Sequence, residues 1–236
     1  MTKRRKKITK FDEIVNHQIG RKTRQNMNFA KHIAEHMALH PRQLTVKLKN
    51  CSDVSTVVDN LESNPTIVNA IHASCALQTI SSMRKAYISQ EELKKLERVL
   101  ISTSAGMDSR IIENILRAIT KLNYKLSRNT WLVLEERISN MECTVQLLES
   151  TLKAWAKLRY EPLSFQQIES SIIRLSGEMT GKSLQTILKS LTRINVTLSP
   201  TAVNYIKIAI NRNFREMNDD LSKLDRSSWH DEHIYL

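Results

Sequence analysis

The sequence predicts an all-α protein, an α-solenoid of helix–turn–helix repeats with a period of about 36 residues. Three observations carry that expectation. Three segments align without a gap at this spacing: Ile115 to Tyr124, Thr151 to Tyr160 and Ile187 to Val196. Apolar residues fall over apolar, small over small and basic over basic. A fixed period of this size marks an array in which each unit buries its apolar face against its neighbours. Helical periodicity of apolar residues runs from Asp53 to about residue 217. Finally, 236 residues hold only 4 Gly and 4 Pro, too few turn formers for a β protein of this length.

Residues 1–50 read as a basic N-terminal arm and helix. The arm opens with MTKRRKKITK. Further on, Phe29, Ile33 and Met37, with Ala30 and Ala34, fit one helix face that ends before Pro41. Leu44, Val46 and Leu48 alternate with polar residues, which predicts an extended connector.

Residues 51–217 form the helical-repeat domain. Val54, Val57, Val58 and Leu61 make a short stripe, and Asn64-Pro65 breaks the chain. First helices are expected near 68–87, 108–124, 145–160 and 182–196, with second helices near 90–103, 128–141, 165–177 and 200–215. Ser89 with Glu92, and Ser164 with Gln167, have capping-box spacing. Ser199 precedes Pro200 at a first helical position, and Ser127 occupies the same place. The predicted seam aligns Ala76/Ile112/Leu148/Leu184, Ile80/Leu116/Leu152/Leu188, Met83/Ile119/Trp155/Leu191 and Ala86/Leu122/Leu158/Ile194. Ser82, Ala118, Ala154 and Ser190 are small in every unit, which lets adjacent helices approach. Residues 218–236 are a polar, partly acidic C-terminal tail, and its closing Ile234-Tyr235-Leu236 suits docking on the last helix or on a partner.

The formal net charge is +12, and its distribution points to a partner. Residues 1–50 hold 13 Lys/Arg against Asp12, Glu13 and Glu35. A basic arm of this kind suits a polyanion. Lys3, Arg4, Arg5, Lys6, Lys7, Lys10, Arg21, Lys22 and Arg24 are its candidate RNA contacts. The cluster from Lys3 to Lys7 also has the composition of a nuclear import signal. A second candidate is a ladder. Arg117, Lys153 and Lys189 are equivalent in three units, and Lys85, Lys121, Lys157 and Arg193 in four. The two positions lie four residues apart, on one helix face. Stacked at a helix-packing distance of about 10 Å, such cations could follow a phosphate backbone. Tyr124 and Tyr160 close equivalent helices, where packing is favoured over base stacking.

Other classes are disfavoured. Glycine-built phosphate loops and a nucleophile elbow are absent, so no catalytic residue and no cofactor are expected and the chain reads as non-enzymatic. Cys51, Cys75 and Cys143 share no close spacing, which argues against a disulfide framework or a cysteine metal site. His32, His36 and His40 recur on one helix face without matching acidic or thiol ligands and read as a polar stripe, so no metal is expected. No apolar run is long enough for a membrane span, and no secretory signal peptide is visible.

The segment Leu152-Lys153-Ala154-Trp155-Ala156-Lys157-Leu158 resembles the L-x-A-x-A-K-L core of degenerate organellar helical repeats. These are the heptatricopeptide and octotricopeptide repeats and those preceding the RAP domain in FAST-kinase-like proteins. The likeness covers about residues 68–215. It implies an α-solenoid that binds RNA in mitochondria or plastids, some members being mitochondrial ribosome components. The chain departs from the pattern in having about four units, no RAP domain after them and no recognisable base-specifying polar residues. With the basic arm, the resemblance points to a structural subunit of an organellar ribosome, with rRNA and neighbouring protein subunits as partners and a mitochondrial location; the alternatives are a protein–protein scaffold subunit of a large organellar complex or a nuclear adaptor.

Overall fold

The computed structural model describes residues 40–213, except Lys85, Ser164 and Asn195. The chain divides between His40 and Pro41 into two units, and nearly all described residues belong to the second. These residues are all-α, with ten α-helices and one short 3-10 turn, Ser104–Gly106, among them.

The segment expected to be an extended connector is a helix, α1 (Pro41–Lys49). Leu44 and Leu48 stand four apart and are fully buried, whereas Val46 is 58% exposed. The alternation seen in the sequence is one helical face plus a solvent-facing valine. Lys47 and Lys49 lie in the last turn, where cations favour the helix dipole. The short stripe becomes α2 (Val54–Glu62), capped by Asp53, whose carboxylate accepts the Thr56 N–H at 2.8 Å.

The first helices are α3 (Ala70–Ser82), α5 (Ser109–Leu122), α7 (Val145–Leu158) and α9 (Gly181–Ile194). The second helices are α4 (Gln90–Thr103), α6 (Arg128–Ser139), α8 (Gln166–Leu175) and α10 (Pro200–Arg212). Their starts follow the capping residues. Ser89 and Glu92 form the expected capping box, Ser127 accepts from Thr130 N–H, and Ser199 accepts from Ala202 N–H ahead of Pro200. The fourth expected cap differs. Ser164 lies outside the described residues, and α8 starts one position later behind Phe165, which makes no side-chain cap bond. Gln167 instead donates to the Ser139 carbonyl at 3.3 Å.

Two rows result. In the first, α1 packs on α3, α3 on α5, α5 on α7 and α7 on α9; in the second, α2 packs on α4, α4 on α6 and α8 on α10. The buried seam lies along the first row. Ala76, Ile112, Leu148 and Leu184 are all buried, as are Ile80, Leu116, Leu152, Ile119, Trp155, Leu191 and Leu158. Met83, Ala86, Leu122, Leu188 and Ile194 are only half-buried. Of the four small positions, Ala118, Ala154 and Ser190 are buried but Ser82 is exposed, because α3 ends there.

Recurring polar bonds fasten the units. Within three of the four hairpins, an arginine in the last turn of the second helix reaches back to the loop that opens the first. Arg137 donates to the Met107 carbonyl at 2.7 Å, Arg174 to Cys143 at 2.6 Å and Arg212 to Met179 at 3.1 Å. Between hairpins, a carboxylate on one second helix accepts the N–H at the start of the next. Glu97 takes Ser127 at 2.6 Å, Glu169 takes Ser199 at 2.5 Å, and Glu135 takes Leu163 at a longer 3.4 Å.

The long bond falls where the second row is interrupted. α6 and α8 do not form a packed pair like their neighbours. A cleft of about 220 Å³ opens there, lined by Leu132, Glu135, Trp155, Leu163 and Ile168 among others. The connection between α7 and α8 carries Pro162, which fixes its own backbone and restricts Glu161. The same connection leads into the uncapped start of α8.

Candidate nucleic-acid interface

The ladder residues stand on neighbouring helices of the first row. Arg117 and Lys121 are on α5, Lys153 and Lys157 on α7, Lys189 and Arg193 on α9, and all six are exposed. Their exposure follows from the seam: the apolar stripe at 112, 116 and 119 turns inward, so positions 117 and 121 turn out. Arg117 is already engaged. It pairs with Glu113 at 2.5 Å, one turn back, and its Nε donates to Ser150 Oγ at 3.5 Å. The other five carry no carboxylate partner within 4 Å among the described residues.

Lys85 lies outside the described residues, and α3 ends three positions before it. The arm candidates Lys3, Arg4, Arg5, Lys6, Lys7, Lys10, Arg21, Lys22 and Arg24 also lie outside them, as do His32, His36 and the tail from Phe214.

Charge segregates between the rows. Cations outnumber carboxylates on α1, α5, α7 and α9, and α3 carries neither. α9 bears Lys182, Lys189 and Arg193 with no acid. On the second row the signs balance on α4, α6 and α8, acid prevails on α2, and only α10 is basic.

At the C-terminal ends of α7 and α9 two ladder residues meet. Lys157 and Arg193 line one cleft of about 600 Å³ together with Arg159, Tyr160 and Glu161. Arg159 was not legible as a site residue. Its position caps α7 in a left-handed conformation, φ 54° and ψ 46°. The equivalent cap of α5 is Asn123, φ 57°.

Tyr124 and Tyr160 pack, as the apolar alignment predicts. The Tyr124 hydroxyl accepts the Ile88 N–H at 2.7 Å and donates to the Ile88 carbonyl at 3.2 Å, tying two units at equivalent positions. Tyr160 is 8% exposed and stacks on Trp131, ring centroids 4.5 Å apart, with the Arg128 guanidinium carbon 5.4 Å from the Tyr160 ring centroid. Its hydroxyl and the Glu135 Oε1 are buried without hydrogen-bond partners, as is Trp155 Nε1. Burial, then the nearby Glu135 carboxylate, push the Tyr160 phenol up to about 12. Burial also raises the Glu135 carboxyl above the usual range.

The aromatic that does face solvent is Tyr87, 82% exposed. Its backbone neighbours are fixed: Ile88 is gripped by the Tyr124 hydroxyl, and Ser89 donates its N–H to Glu92 at 2.8 Å. Arg84, three positions earlier in the sequence, is also exposed. Periodicity passes over Tyr87 because the aligned residues at 123 and 159 are polar.

No helix of the described residues is long and apolar enough to cross a membrane. No protein-family model matches the chain, nor does any curated protein or solved structure.

Proposed function

We propose that the chain is a non-enzymatic RNA-binding α-solenoid, a structural subunit of an organellar, mitochondrial ribosome. The observation that supports this reading is the segregation of charge. Unpaired cations stand at matching positions on three successive helices of one row, while the other row is close to neutral. Phosphates are held by such a row without base readout, and shape and backbone contacts suffice for a structural subunit. Tyr87, 82% exposed, offers a stacking surface for an unpaired base. The arm supplies the remaining positive charge.

The test is RNA affinity measured against salt in the full chain. Replacing Lys153, Lys157, Lys189 and Arg193 by Ala is expected to weaken binding and flatten the salt dependence, as is replacing Lys3, Arg4, Arg5, Lys6 and Lys7 by Ala. Unchanged affinity and slope in both variants defeat the proposal.

A second reading, a protein–protein scaffold in a large organellar complex, is favoured by Tyr205 and Ile208. These are 41% and 56% exposed on one face of α10. A partner retained after nuclease treatment supports it. A fluorescent fusion separates a mitochondrial from a nuclear location.

A further inference from the structure

We propose that Arg159 anchors a phosphate of the bound RNA in the cleft between the C-terminal ends of α7 and α9. The inference rests on the RNA-binding reading above and names the group that grips at this point of the surface.

The argument begins with a backbone cost. Among the described residues, only Asn123 and Arg159 adopt a positive φ. That region crowds Cβ against the following carbonyl, and asparagine tolerates it better than other residues bearing a Cβ. Asn occupies this cap at the aligned position 123. Arginine at 159 is therefore a departure from the residue that this cap prefers. Strained backbone of this kind gathers where function holds it in place.

The departure places a guanidinium in a specific setting. Arg159 is exposed and lines the 600 Å³ cleft with Lys157 and Arg193. It has no carboxylate within 4 Å among the described residues. Three cations face Glu161 alone, so the cleft is positive. The nearby Arg128 is occupied, donating to the Glu161 carbonyl at 3.1 Å and lying over the Tyr160 ring. A planar guanidinium matches two phosphate oxygens at once, with Lys157 and Arg193 as further point contacts. The cleft also continues the row of Lys121, Lys153 and Lys189, which suits a phosphodiester chain rather than a single small anion.

The experiment compares Arg159→Asn and Arg159→Lys with the wild-type full chain. Melting temperature is followed by circular dichroism, and binding to labelled oligouridine by anisotropy across a salt series. Arg159→Asn relieves the backbone and is expected to raise Tm by about 2–4 °C. The same change is expected to weaken RNA binding about tenfold and to lower the salt slope by about one. Arg159→Lys is expected to retain the slope, since the charge remains. A wild-type chain that binds RNA, with an Asn variant that binds equally well at the same slope, overturns the role of Arg159 and leaves the broader reading standing. An Asn variant with a lower Tm assigns Arg159 to the fold instead and also overturns it. Absence of salt-dependent binding by the wild type removes both.

Discussion

His72 shows how much one side chain can fasten. It is 1% exposed, its Nδ1 accepts the Asn69 N–H at 3.1 Å, and its Nε2 meets the Pro41 carbonyl at 2.8 Å. Since Nδ1 accepts, Nε2 carries the proton it donates. One ring thus caps α3 and holds the start of α1. His72→Ala is expected to cost about 1–3 kcal/mol, read from urea unfolding; a loss near zero would mean water replaces both bonds. Glu135 behaves oppositely. Its folded-state carboxyl value is raised above the ordinary 4.5, so the folded chain holds that proton more tightly than the unfolded chain. Stability from this group therefore rises as pH falls from neutral towards 4.5 and is level below. Glu135→Gln is expected to raise Tm at pH 7 and to narrow its lead over wild type on acidification; a lead constant with pH contradicts the assignment. Neither residue was legible beforehand. His72 lies on an apolar face without motif spacing, and the crowding around Glu135 depends on Tyr160, which is distant in sequence.

Helices were the most legible level. The 36-residue spacing and the serine caps locate four hairpins within a few residues of their ends, because most starts, though not that of α8, are set by a local bond that a short motif records. Ser127→Ala is expected to cost about 1 kcal/mol of stability. Most seam positions were readable from the aligned apolar residues, though Met83, Ala86, Leu122, Leu188 and Ile194 are only half-buried. Leu152→Ala is expected to cost about 2–5 kcal/mol, measured by denaturant titration; a cost below 1 would place Leu152 outside the seam it fully occupies. α1 was misread because its short segment gives helix and strand patterns nearly equal support. Only Leu44 and Leu48 meeting α3 decides between them. The late start of α8 was hidden because Ser164 and Gln167 have capping spacing yet Phe165 takes the cap.

At the scale of the described helices, most packing is between neighbours within a row, so the break between α6 and α8 has a dynamic consequence. Only the first row crosses it continuously. Hydrogen exchange is expected to show α8, α9 and α10 opening together, at lower free energy than α3 to α6. Equal protection on both sides of the break would mean that the α5–α7–α9 contacts carry the coupling alone. Sequence could supply the period but not this interruption, which is a matter of packing between second helices distant in sequence. The arginine clasps to Met107, Cys143 and Met179 have a different consequence. Each is made inside its own hairpin, so a hairpin brings along the bond that shuts it. Copying residues 107–142 in tandem should lengthen the protein by one self-closing brick. The same property makes duplication a ready route by which an ancestral chain could have grown.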